Sequence, residues 1–221
     1  MSASNAARVG VWGRSGSGKS AYIKKLIKGK RRVVVFDVMD EYAPLGFKVI
    51  RGDLDAVRVA MRDNWQGFKI AYVPPANVET RALSALSRLL LRAQEPYRQT
   101  GKGSGLTLVV EEMNKCFSIA TGQAQGAKAS GFAEICSRGR HYGITVYGAS
   151  QLVSEVSMRF RGNCDETVSF AQKGPRPTAA AAAEIGCDVS RIQELTKLHY
   201  LHEVDGSIKP GKLTFPAAKK K

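Results

Sequence analysis

Residues 13–20 read GRSGSGKS and stand directly behind the apolar run RVGVW (8–12). The stretch fits GxxxxGK[ST] in full, from Gly13 through Gly18, Lys19 and Ser20. Glycines at 13, 16 and 18 let the backbone curl and aim several N–H groups at one point, where the start of a following helix adds its positive end. Ser15 and Ser17 complete the cradle. Lys19 suits the β and γ phosphates of a nucleoside triphosphate, and the Ser20 hydroxyl suits a magnesium ion. RVGVW reads as the strand before the loop and Lys19 to about Lys28 as the helix after it, the context this loop requires. ATP and Mg2+ are the expected ligands.

Working outward, apolar runs alternate with helical patterns. RRVVVFDV (31–38) is a second strand, its three valines suggesting burial on both faces. Asp53 is placed to cap a short helix with Leu54, Val57, Ala60 and Met61 on one side. FKIAYVPP is a strand stopped by prolines. Residues 79–99 carry the longest helical pattern, with Leu83, Leu86, Leu89 and Leu90 facing a core. LTLVV is a strand, FAEICSRGRHYG a helix, and ITVYGASQ and ETVSFAQ two more strands. PTAAAAAEIG is a helix with proline near its start and Gly186 past its end. HYLHEVDGSIKPGKLTFP predicts a hairpin turning at Asp205-Gly206. The alternation predicts an α/β fold with a mainly parallel central sheet flanked by helices and a C-terminal hairpin. No repeat or linker divides the chain, so residues 1–221 read as one P-loop ATPase domain, with 1–7 and 217–221 as flexible tails.

The chain has 221 residues, 34 Lys and Arg against 19 Asp and Glu, and a net charge of +15. That excess points to a polyanionic partner, nucleic acid before an acidic membrane surface. No run is long and apolar enough to span a membrane, and MSASNAARVG lacks an apolar leader core, so a cytoplasmic location is expected. Cys116, Cys136, Cys164 and Cys187 form no CxxC pair and read as small buried apolar side chains.

Hydrolysis needs a second set of groups. LTLVVEE delivers Glu111 and Glu112 at the carboxyl end of a strand, where open parallel sheets bind ligands. Glu111 is placed to hold the magnesium through water, and Glu112 to orient the attacking water. Aspartate is the usual first acid in this position, so Glu111 is a departure. Asp37, at the end of the second strand, and Asp40-Glu41-Tyr42 fall near the same site. In SRGRHYGITVYGASQ (137–151), Arg138 and Arg140 end a helix. They suit either a charged helix terminus or an arginine finger that stabilises transition-state charge on a neighbouring subunit's γ-phosphate. Gln151, at the end of the next strand, is placed to sense that phosphate.

GRSGSGKS, FDVMDEY, VVEEMN, SRGRHYG and ASQ, in this order, resemble the HerA/FtsK superfamily of DNA-pumping P-loop ATPases. The resemblance covers roughly residues 8–151. A compact motor with a RecA-like core resembles in particular the genome-packaging ATPases of tailless, membrane-containing double-stranded DNA viruses and phages. The resemblance implies a homo-oligomeric ring, hexameric or pentameric, around duplex DNA. Lys19, Ser20, Glu111, Glu112 and Gln151 would act within one subunit, and Arg138 or Arg140 would reach across. It also implies a capsid-vertex or membrane-protein partner and a place in the host cytoplasm or at the packaging vertex of the virion.

Candidate DNA contacts are Lys128, in the small-residue stretch SIATGQAQGAKASG (118–131), and Arg81, Arg88 and Arg92 on one face of the long helix. A solvated face gives the same pattern in the helix. Recognition is expected through backbone charge, independent of base sequence and sensitive to salt. A small-molecule or nucleoside kinase shares the phosphate loop, with SRGRHYG as its lid. A filamentous-phage-type extrusion ATPase and a nucleotide-dependent DNA-binding module are further alternatives.

Overall fold

The computed structural model describes residues 6–120 and 130–215. Seven strands run parallel: β1 (Arg8–Trp12), β2 (Arg32–Phe36), β3 (Lys48–Arg51), β4 (Phe68–Val73), β5 (Leu106–Val110), β6 (Ile144–Ser150) and β7 (Glu166–Phe170). β8 (His199–Val204) and β9 (Ser207–Lys212) extend the same sheet antiparallel, in the order β3-β4-β2-β5-β6-β1-β7-β8-β9. The expected α/β architecture and terminal hairpin are both present. Asp205 (φ 50°) and Gly206 (φ 78°) take the left-handed backbone that a two-residue hairpin turn demands.

Side chains on successive strand residues point to opposite faces, so each central strand feeds two cores. Val33, Val35 and Val109 meet Tyr22, Ile23 and Ile27 of α1 (Lys19–Ile27) on one face. Val34, Phe36, Leu108 and Val110 meet the other face's helices. These include α2 (Leu54–Asp63), α3 (Glu79–Ala93), which is followed by α4 (Glu95–Thr100), and, beyond α5 (Met113–Cys116), α6 (Gly131–Arg138). The short α7 (Met158–Arg161), α8 (Pro175–Ile185) and α9 (Val189–Gln193) complete that layer, α8 bringing Ala181, Ala182 and Ile185.

Two expectations change. The helical pattern at 79–99 is two helices, broken at Gln94. Pro96 has no N–H to continue the hydrogen-bond ladder and disfavours helical backbone just before it. The buried Gln94 amide instead donates to the Tyr142 carbonyl at 2.9 Å. β3 was not expected: KVIR is a four-residue edge strand with one buried residue, too short and mixed to show period-two alternation. Glu111 and Glu112 therefore follow the fifth strand in chain order, where four apolar strands were read. Asp53 caps α2 as expected, accepting from the Ala56 N–H at 2.9 Å. Cys116 and Cys136 are buried, Cys164 and Cys187 half-buried, and all four are free thiols.

Candidate nucleotide site

GRSGSGKS joins β1 to α1 at the carboxyl edge of the sheet. The neighbouring strand ends pin it: Gly13 N–H donates to the Ser150 carbonyl at 3.3 Å and Arg14 N–H to the Ala171 carbonyl at 2.9 Å. Ser17 offers its carbonyl to Leu198 N–H at 3.0 Å. A Cβ on Gly13 would stand 2.6 Å from Phe170 Cβ, so β7 leaves room only for glycine there. Gly16 (φ 71°) and Gly18 (φ 126°) take backbone that side chains resist, and Gly16 faces open space.

Lys19 is 8% exposed and donates to the carbonyls of Gly13 (2.6 Å) and Arg14 (3.2 Å). Burial lowers its pKa, and the charges of Glu112 and Glu111 pull it back up. The ammonium is thus curled onto its own loop, with both carboxylates near. Ser17 Oγ is buried without a partner among the described residues. Ser15 is exposed, and Ser20 is half-buried at the start of α1.

β5 delivers the acid pair. Glu111 is 7% exposed, and its Oε1 accepts from the Tyr42 hydroxyl at 2.6 Å. Burial raises its pKa; the Tyr42 hydrogen bond and the Lys24 charge oppose the rise. Tyr42 is itself fixed by donating its N–H to Asp37 Oδ2 at 3.0 Å. Asp37 Oδ1 is buried and has no partner among the described residues, and burial pushes that carboxyl up against the pull of two backbone N–H groups. The segment after β2 therefore forms one side of the acid pocket. Glu112 turns away on left-handed backbone (φ 48°) and accepts from Gln151 Nε2 at 3.2 Å. β5 and β6 are neighbours, which places the two strand-end residues together.

A cavity of about 660 Å³ opens over Arg14, Ser15, Gly16, Glu112 and Gln151. Its far wall is Gln172, Lys173 and Lys197, which sequence reasoning missed. Among the described residues, Gln172 Nε2 is buried without a partner, and so is the Oδ1 of Asn114 beside Glu112. The clue available was AQK directly after a strand that ends at the same edge as RVGVW.

Arg138 and Arg140 lie elsewhere. They precede β6, at the amino edge of the sheet, whereas the loop follows β1 at the carboxyl edge. The seven residues of β6 put roughly 23 Å between those edges. Arg138 pairs with Glu134 on its own helix at 3.4 Å, and Arg140 is exposed near Asp165. Neither arginine meets its own chain's loop. Arg81, Arg88 and Arg92 are exposed along α3. Lys128 lies outside the described residues.

By sequence, no protein-family model and no curated protein matches the chain. Solved structures do. The genome packaging NTPase B204 from Sulfolobus turreted icosahedral virus 2, in complex with AMPPCP, superposes with a TM-score of 0.72 at 16% identity, covering 96% of this chain and 99% of that one. This is a P-loop ATPase fold. VirB4 of Thermoanaerobacter pseudethanolicus shares the P-loop ATPase fold with a TM-score of 0.66 at 14% identity over 95% and 90% of the two chains. So does the Type VII secretion ATPase EccC of Thermomonospora curvata, with a TM-score of 0.62 at 15% identity over 96% of this chain and 26% of that one. At these identities the likenesses show the fold, and they bear out the expected P-loop architecture. Among the described residues, no helix is long and apolar enough to cross a membrane.

Proposed function

We propose that the chain hydrolyses ATP to move double-stranded DNA, as a genome-packaging motor assembled into a homo-oligomeric ring. The observation that carries this reading is the division of the site between two edges. Lys19, Glu111, Glu112 and Gln151 gather at the carboxyl edge, and Arg138 and Arg140 stand at the amino edge. A head-to-tail contact that brings one chain's amino edge to the next chain's loop would complete the site, and such contacts close into rings.

The residues fit a nucleotide with its magnesium ion. Gly16 leaves open space, and Ser17 Oγ and Asp37 Oδ1 are buried polar atoms without partners among the described residues. Ser20 and Glu111 offer the oxygen donors that magnesium prefers, Glu111 through water. Held there by Ser20 and Glu111, the ion would supply positive charge beside the phosphates. Lys19 would leave the Gly13 and Arg14 carbonyls for the β and γ phosphates. Glu112, held by Gln151, would orient the attacking water and accept its proton. Arg140 or Arg138 of a neighbour would stabilise charge on the γ-phosphate.

The packaging role of B204, the +15 charge and the exposed arginines of α3 support DNA as the cargo. The likeness to EccC favours a second reading, a secretion ATPase with the same hydrolysis site. ATP turnover measured with and without duplex DNA separates them. Stimulation that fades as salt rises supports the DNA motor. Turnover indifferent to DNA, or phosphate appearing on a nucleoside, overturns it. Electron microscopy with a non-hydrolysable ATP analogue and duplex DNA tests the ring and counts its subunits.

A further inference from the structure

A second cavity, of about 550 Å³, lies at the amino edge of the sheet, away from the loop. Met61, Trp65 and Leu89 supply its apolar wall, and Arg32, Arg58, Arg62 and Lys102 supply its charge. No carboxylate among the described residues lines it.

Arg32 gives the cavity its character. It opens β2 and is 4% exposed, with its guanidinium carbon 4.5 Å from the centroid of the Trp65 ring. Its Nε donates to the Gly105 carbonyl at 3.2 Å, and its other N–H groups find no acceptor among the described residues. Arg8 makes the contrast. It opens β1 and is buried nearly as deeply, yet Asp165 takes its guanidinium in a fork at 3.0 and 2.9 Å. A buried guanidinium is costly without a counter-charge, and no carboxylate among the described residues pairs with Arg32. Arg58 and Arg62 are matched by Asp55 and Asp63 on their own helix, each at 3.0 Å, so the unmatched charge is that of Arg32 and Lys102. A neighbouring hollow of about 360 Å³ shares Arg32 and adds Lys30 and Arg31.

The complement to such a cleft is a carboxylate carried beside an aromatic or branched apolar group. Duplex DNA presents phosphates on a convex surface, and its apolar groups, thymine methyls and base faces, lie in the groove or the stack rather than projecting beside a phosphate onto a wall such as Met61, Leu89 and Trp65. We propose that this cleft docks a short acidic peptide segment of a partner protein, one carboxylate taking the Arg32 fork and an adjacent apolar side chain lying against Trp65. The proposal is independent of what the nucleotide site drives.

Trp65 is half-buried and is one of only two tryptophans, the other being the fully buried Trp12, so tryptophan emission reports on the cleft. The probe is an acetylated, amidated hexapeptide alternating glutamate and phenylalanine, titrated into the full chain. Saturable binding near micromolar Kd is expected, about tenfold or more weaker for the glutamine counterpart and for Arg32→Met. The double variant Arg58→Ala/Lys102→Ala changes only rim residues and should weaken binding several-fold even if Arg32→Met fails to fold. Basal ATP turnover should not change in the double variant. Absence of binding at millimolar peptide, equal binding of the glutamine peptide, unchanged binding by the double variant, or displacement by duplex DNA would each overturn the proposal.

Discussion

The Tyr42 hydroxyl donates to Glu111 Oε1 at 2.6 Å, with both side chains buried. Tyr42 N–H is held by Asp37 at 3.0 Å, and the Lys24 ammonium sits 5.1 Å from the Tyr42 ring centroid. The proposed magnesium-binding carboxylate is thereby oriented by a segment 69 residues away in the chain. Removing the hydroxyl leaves Glu111 short of a donor in a dry site. Tyr42→Phe should cost about 1–3 kcal/mol of stability by urea unfolding. It should also shift the acidic limb of the ATP turnover profile to higher pH, because the Tyr42 bond is the foremost contact opposing the burial-driven rise of the Glu111 pKa. An unmoved limb would place Tyr42 outside the chemistry.

Glu111 itself gives a pH-dependent stability of known sign. Burial raises its folded pKa above the ordinary value of 4.5. The folded state then favours the protonated acid. The stabilising contribution is complete below the unfolded value and is lost as pH rises through the folded one. Glu111→Gln removes that loss while keeping an acceptor for Tyr42. The variant should match the wild type at acid pH and become progressively the more stable of the two as pH rises, while ATP turnover collapses. Urea midpoints across pH 4–8 check the direction.

The Glu112 carboxylate accepts from Gln151 Nε2 at 3.2 Å. Glu112→Gln should retain ATP binding and lose turnover by about 10²–10⁴-fold, the range of a positioned general base. Gln151→Ala should reduce turnover less, since the carboxylate remains. Unchanged hydrolysis in Glu112→Gln would remove Glu112 from the mechanism.

The arginines and the loop occupy opposite edges of one sheet, so their contributions should separate between subunits. Arg140→Ala and Lys19→Ala proteins should each be inactive alone. Mixed, they should recover part of the wild-type turnover, because an intact loop can then face an intact arginine. If folded mixtures show no recovery, Arg140 does not act across an interface.

Asp165 caps the buried Arg8, which also reaches the Cys136 carbonyl at 2.9 Å. Burial pushes the Asp165 carboxyl up, but its hydrogen bonds and charge contact with Arg8 outweigh that and hold it below its ordinary value. Asp165→Ala should destabilise the fold by roughly 1–3 kcal/mol, less than a fully buried pair because Asp165 is 41% exposed and partly screened. The difference should shrink as pH falls below the unfolded carboxylate value near 3.8, and thermal melts across that range test it.

Much of the site was legible in the chain itself. A phosphate loop is contiguous, so GRSGSGKS carries its spacing and its glycines in eight adjacent residues. LTLVVEE likewise shows a buried strand and its terminal acids as one local pattern. Alternating strands and helices implied a parallel sheet, and a parallel sheet gathers strand ends at one edge. By these local rules alone the sequence determined which loop has the phosphate-binding pattern, which acids stand at a strand end and where the hairpin turns.

Tertiary structure decided the pairings. Strand order sets β2 beside β5 and β5 beside β6, which brings Tyr42 to Glu111 and Gln151 to Glu112. β7, beside β1, carries Gln172 and Lys173 to the far wall of the same cavity. It also decided that Arg138 and Arg140 stand at the opposite edge, and that Arg8 meets a carboxylate where, among the described residues, Arg32 does not. The reason is that these contacts join segments dozens of residues apart, and no local period records which strands will be neighbours.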